Sequence, residues 1–144
     1  MKELIDYIEV EKIQKYIEEK ENVKLVLVIK NLSECKKEGH ISHYDTGDTN
    51  HMLWCRYSAS TLLSKDYKGG EFVFLDENDN EIESFNQDTH YMKTLIFDVG
   101  NKHKVKPHYD GDRRVNLYFW KSLKPIKLPY CVKNYIEQNR VLFS

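Results

Sequence analysis

Apolar positions along the chain change their period more than once. Over residues 2–20, Leu4, Ile5, Ile8, Ile13 and Ile17 recur at near-helical spacing among Glu and Lys, which predicts one amphipathic helix. Residues 23–29 are rich in branched aliphatics and read as a strand. A polar connection follows over 31–39, a strand over 41–45, and a loop of turn formers over 46–50. Partial alternation predicts a long strand over 53–64, a turn over 65–70 and a strand over 71–75. An acidic turn occupies 76–81, and the chain stays polar to Asp88. Further strands are expected at 92–98, 103–106 and 113–120. Pro125 and Pro129 then break the sheet, and a short helix over 130–139 presents Val132, Tyr135 and Ile136. Many short strands between terminal helices indicate a mainly β sandwich or jelly roll.

Composition narrows the partners more than the fold. The 144 residues suit a single domain, 1–144, with a core over about 23–120. A net charge of −1 gives no bulk attraction to nucleic acid or to an anionic membrane. No apolar run is long enough to span a bilayer, and the N-terminus has no signal-peptide core, so a cytoplasmic location is expected. Cys35, Cys55 and Cys131 have no metal-type spacing and are expected as reduced thiols. Edge strands leave a monomer or a homodimer open.

Candidate chemistry concentrates between residues 43 and 114. On a strand, side chains two apart share a face, so His43 and Asp45 of His43-Tyr44-Asp45 would project together. A distant imidazole, His103, would complete two histidines and one carboxylate. That set takes one face of an octahedral metal and leaves the other open, as in non-haem Fe(II) oxygenases, although Mn, Co, Ni or Zn would also fit. His40, His51, His90 and His108 are expected at the surface, with His40 the best substitute for His43. Acidic residues between Asp76 and Asp88 and basic ones between Lys102 and Arg114 are expected to be solvated faces.

Between the two ends lie Gly69-Gly70-Glu71-Phe72 and the run Thr94-Leu95-Ile96-Phe97; Gly111-Asp112-Arg113 follows His103. With His-x-Asp, this order over roughly 41–120 resembles the 2-oxoglutarate and Fe(II)-dependent dioxygenases, specifically their prolyl- and lysyl-hydroxylase-like branch. The resemblance implies a double-stranded β-helix with flanking N- and C-terminal helices. It implies Fe(II) on His43, Asp45 and His103, with 2-oxoglutarate and O2 as cosubstrates and ascorbate as a stimulant. Arg113, or its neighbour Arg114, would grip the cosubstrate's far carboxylate, a task suited to the planar guanidinium fork. Family spacing favours Arg113. The tyrosine that many prolyl hydroxylases carry before the Gly-Gly turn is absent, since Leu62 or Leu63 falls there. Thr61, with Ser60 and Tyr57 as alternatives, is the candidate second partner. Tyr44 and Arg56 are candidate substrate contacts. The implied reaction hydroxylates an unactivated C–H bond, on a prolyl or lysyl side chain of a peptide or protein. A small-molecule or nucleobase oxygenase and a non-catalytic jelly-roll binding module are the alternatives.

Overall fold

Two antiparallel sheets lying face to face account for most of the chain. The computed structural model describes residues 1–46 and 52–143, with side chains to 138; His51 and most of the 46–50 loop lie outside the described residues. The larger sheet contains β1 (Lys2–Asp6), β2 (Leu25–Glu34), β4 (Cys55–Leu62), β8 (Lys93–Asp98) and β11 (Arg114–Ser122), in the order β1-β8-β4-β11-β2. The smaller contains β3 (His40–His43), β6 (Phe72–Leu75), β7 (Glu81–Phe85) and β9 (Lys102–Val105), in the order β3-β9-β6-β7. A two-stranded ribbon joins β5 (Lys68–Gly69) to β10 (His108–Tyr109). The helices are α1 (Val10–Glu21), the short α2 (Gln87–His90) and α3 (Tyr130–Phe143). This is the jelly-roll architecture, mainly β with flanking helices.

Strand parity separates the two faces of the large sheet. Its outer face, with Tyr57, Ala59, Ile96, Tyr118 and Trp120, is covered by Val10, Ile13 and Ile17 of α1. Its inner face brings Leu95 and Phe97 against Phe72 and Phe74 of the small sheet. Burying that many large apolar side chains is the main stabilising contribution, at roughly 1.5–3 kcal/mol each. Trp120 also donates its indole N–H to Gln14 Oε1 at 3.0 Å, so the buried ring leaves no unpaired donor.

Four expectations change. Residues 2–6 are not the first turns of a helix but a strand, paired from Lys2↔Phe97 to Asp6↔Lys93. The helix starts only at Val10, so its apolar stripe is Val10, Ile13 and Ile17. β2 runs on to Glu34, because Leu32 and Ser33 continue the pairing with β11. The polar stretch after the acidic turn forms β7 and α2, the helix capped by the Asn86 side chain accepting from the Asp88 and Thr89 amides. The opposite charge clusters partly neutralise each other. Lys102 pairs with Asp79 at 2.6 Å and Lys106 with Glu81 at 2.8 Å. No described helix is long and apolar enough to cross a membrane.

His90 and His108, expected at the surface, are buried at 0% and 3% exposure. Polar neighbours in sequence misled because α2 and β10 turn these two rings inward. His90 Nε2 donates to the Ser60 carbonyl at 2.9 Å, and Nδ1 has no partner. Burial drives this imidazole from 6.5 down to about 4. The unfolded chain therefore binds the proton first, and stability present above pH 6.5 is lost as pH falls towards 4. At 1.36 kcal/mol per unit the loss approaches about 3 kcal/mol. Urea unfolding of the metal-free protein at pH 7 and pH 4.5 should reveal it, and His90→Gln should remove most of it. Equal losses in both proteins would exclude His90 as the cause.

Candidate metal centre

The register of two short strands builds the site. β3 and β9 pair with His43 directly opposite His103, so both imidazoles leave the sheet on the same side. Asp45 lies just past the end of β3, in a bend rather than in the strand, yet its carboxylate turns back to both rings. Among the described residues, these three are the one set of metal-ligating side chains whose donor atoms lie within 4.8 Å of one another. All three are buried. His103 is held by aromatic neighbours, stacked on Phe72 at 5.1 Å and edge-on to Phe97 at 4.8 Å.

Hydrogen bonds fix which nitrogen of each ring faces the centre. His43 Nδ1 meets the Ile41 carbonyl at 2.8 Å, and His103 Nδ1 meets the Asn101 carbonyl at 2.9 Å. A carbonyl only accepts, so each Nδ1 carries the proton and a neutral ring presents a bare lone pair at Nε2. Those two Nε2 atoms face Asp45 Oδ1 at 3.2 and 3.1 Å. Three acceptors around one point repel unless a proton or a cation sits among them. Burial opposes the charge on Asp45, but a positive charge shared with the His103 and His43 rings, the place a cation would take, outweighs it and holds the carboxyl well below its usual range. The donor set, the tautomers and the ionised carboxylate fit a divalent metal.

A further residue supports the carboxylate, one that sequence reading passed over. Ser58 Oγ, on the inner face of β4, donates to Asp45 Oδ2 at 2.5 Å. That leaves Oδ1 as the oxygen turned towards the rings. Removing such a supporting partner lowers metal affinity by about 10–100-fold. Ser58→Ala should show that loss in Zn(II) competition against a chelating dye, and Ser58→Thr should recover most of it. Unchanged affinity in Ser58→Ala would deny Ser58 this role.

The cavity continues away from the metal trio. About 220 Å3 opens beside the three ligands, and about 300 Å3 opens beside Arg113. The two share His40, Ser60, Phe72, Val105 and Leu117 as walls, so they form one passage with a ligand set at one end and a guanidinium at the other. Arg113 is 2% exposed, whereas Arg114 is exposed beside Asp112. A larger groove of about 850 Å3 lies between α1 and residues 122–126, lined largely by exposed Lys and Glu side chains, away from these groups.

The Gly-Gly turn sets the Arg113 end. Gly70 has φ +70°, and a Cβ there would fall 3.0 Å from His108 Cβ and Tyr67 Cε2 and 3.1 Å from Arg113 Cδ. Glycine thus lets Tyr67 and Arg113 close on each other. Burial pushes the Tyr67 phenol up, against the Arg113 cation beside it, which holds it down. Tyr67 sits in the turn rather than on β4, so counting along the strand missed it.

Other candidates lie elsewhere. Thr61 is on the opposite face of β4, its hydroxyl 2.6 Å from that of Thr94, and does not line the cavity; Ser60 does. Tyr57 packs under α1. Tyr44 also turns away, its ring edge-on to Tyr135 of α3 at 5.1 Å. The Arg56 guanidinium donates to Thr46 Oγ1 and to the Leu53 and Cys55 carbonyls, clamping the ends of the loop after Asp45 rather than entering the cavity. His40 stands at the rim with its ring 4.0 Å from that of His43, outside the trio.

No protein-family model and no curated protein matches the chain by sequence. Solved structures do match it in fold. A collagen prolyl hydroxylase of Paramecium bursaria Chlorella virus-1, in complex with 2OG, has TM-score 0.59 at 13% identity, over 85% of this chain and 80% of that one. A 2OG-Fe(II) oxygenase family oxidoreductase from Burkholderia pseudomallei has TM-score 0.57 at 17% identity, over 69% and 46%. A prolyl 4-hydroxylase from Phytophthora capsici has TM-score 0.58 at 14% identity, over 92% and 50%. The match thus spans about half the length of the Burkholderia and Phytophthora proteins. The chain has the fold of these 2-oxoglutarate oxygenases.

Proposed function

We propose that this chain is a 2-oxoglutarate- and Fe(II)-dependent dioxygenase that hydroxylates a prolyl or lysyl side chain of a peptide or protein. One observation carries the reading: three buried metal-ligating side chains and a buried arginine lie at opposite ends of one cavity, in the fold of such oxygenases. His43, Asp45 and His103 would hold the iron. When bound, iron supplies the oxidising chemistry that couples conversion of 2-oxoglutarate and O2 into succinate and CO2 to hydroxylation of a C–H bond.

The chain's own residues do the rest. Arg113 takes the far carboxylate of the keto acid through charge-assisted hydrogen bonds, and Tyr67 adds a hydroxyl at the same end. A metal held by only three side chains would keep room for exogenous groups. Phe72, Phe97 and Leu117 line the passage with apolar surface, which excludes water and strengthens each polar contact inside. Ser58 keeps the Asp45 carboxylate oriented. The exposed Glu34, Lys36 and His40, on and between β2 and β3, stand among the cavity's walls, so this side opens to solvent and can admit a side chain of an extended peptide.

The test is succinate formation from 2-oxoglutarate with Fe(II) and ascorbate, with proline- and lysine-containing peptides added separately. Peptide-stimulated succinate together with a 16 Da mass gain on one peptide (one added oxygen atom) is the expected result. No turnover with iron-loaded, folded protein across both peptide sets would sink the reading.

A further inference from the structure

The passage ends on a feature that the proposed reaction does not need. β11 and β2 pair as Val115↔Ser33 and Arg114↔Glu34, so the next cross-strand neighbours are Arg113 and Cys35. The Cys35 amide donates to the Arg113 carbonyl at 2.8 Å, and Arg113 Nη1 donates to Cys35 Sγ at 3.2 Å. Sheet register therefore sets a thiol against the guanidinium, in the wall of the 300 Å3 cavity. Two buried polar groups at this end still lack partners: Arg113 Nε, and both ring nitrogens of His108. An arginine 98% buried, aimed into a cavity with an unpaired N–H, signals an anionic ligand. Cys35 is partly exposed, in the wall of a cavity open to small reagents, whereas Cys55 is fully buried.

We propose that Cys35 is a modification site that closes the carboxylate end of the cavity: oxidation of its thiol by a peroxide sets an anion against Arg113 in the seat of the cosubstrate's far carboxylate. This rests on the cosubstrate reading above. The chemistry balances with hydrogen peroxide as the oxidant. R–SH and H2O2 give R–SOH and H2O; a second H2O2 gives R–SO2H and H2O. In each step sulfur loses two electrons to the O–O bond that breaks. The sulfinic acid ionises, and its two oxygens accept from the guanidinium much as a carboxylate would. The thiol form leaves the seat open.

The experiment uses the full chain loaded with Zn(II), which binds without turnover. Iodoacetate, whose product places a carboxylate on the sulfur with loss of iodide, reports on the site by peptide mass. 2-Oxoglutarate at a hundred times its Kd should slow labelling of Cys35 about a hundredfold by mass action. Labelling of Cys131, which lies in a separate pocket beside Tyr44, should not change. Protein oxidised to the Cys35 sulfinate should bind 2-oxoglutarate about 10–100-fold more weakly, the worth of hydrogen bonds to a charged group. Cys35→Ser, treated with peroxide in the same way, should keep its own untreated affinity. Cys35→Asp, checked for folding by thermal denaturation, should bind weakly without any oxidant. Binding of 2-oxoglutarate without protection of Cys35 overturns this proposal alone, as does an equal peroxide effect in Cys35→Ser. Failure of untreated Zn(II) protein to bind 2-oxoglutarate at all overturns both this proposal and the cosubstrate reading.

Discussion

His103→Ala is expected to abolish 2-oxoglutarate turnover and metal-induced stabilisation together. The ring would supply one of three metal donors, and its Nδ1–H is tied to the Asn101 carbonyl so that Nε2 faces inward. Residues that merely support a ligand are worth about 10–100-fold in affinity, so losing a ligand outright should exceed that. Metal that binds only the folded chain stabilises it by about 2.7 kcal/mol at a hundred times Kd. In a domain of this size that raises the Tm by about 5–10 °C. Zn(II) should produce this shift in the parent protein and none in His103→Ala at the same concentration. The shift should shrink as pH falls, because protons compete with the metal for its ligands. A His103→Ala protein stabilised by Zn(II) as strongly as the parent would remove His103 from the metal site.

Arg113→Ala should separate cosubstrate binding from metal binding. The side chain lies at the far end of the passage from the metal trio, so the Zn(II)-induced rise in Tm should survive. The Kd for 2-oxoglutarate should rise by about 100-fold, as expected when a charge-assisted bidentate contact disappears. A shorter keto acid without the far carboxylate, 2-oxobutyrate, offers the control. Its affinity should barely change, because it makes no carboxylate contact at that end. Arg113→Lys should recover only part of the loss, since a point charge cannot reproduce the planar fork. If both keto acids weakened equally, Arg113 would be shaping the cavity rather than reading the carboxylate.

Which parts of this arrangement could be read along the chain follows from the range of the interactions. His43 and Asp45 stand two apart, so their nearness was legible, although Asp45 reaches the rings from a bend past the end of β3 and not through the strand's period of two. That His103 arrives opposite His43 depends on the β3–β9 register, for which order and spacing gave the only hint. Parity distinguishes Arg113 from Arg114, because one of two adjacent strand residues must face out. The same rule explains the error at Thr61: one step along β4 exchanges the outer face for the cavity wall, where Ser58 and Ser60 lie. β1 was hidden because Leu4 and Ile5 fit a helical stripe, and its partners are some ninety residues away. β7 was hidden for the opposite reason. It is an edge strand, and Glu81 and Glu83 pair with Lys106 and Lys2, so its sequence shows charge where a central strand would show apolar residues. Tyr67 escaped because its approach to Arg113 depends on the bare Gly70 backbone, which no spacing along the chain reveals.

The placement of His43 has a mechanical consequence. β3 is the outermost strand of the small sheet, and its register with β9 rests on two positions, His40↔Val105 and His43↔His103, with an irregularity between them. An ion shared by His43 and His103 would rivet that loosely stitched strand to its neighbour. Chelation should then unfasten the wall of the entrance, and amide exchange in residues 40–43 should quicken well before the rest of the barrel responds.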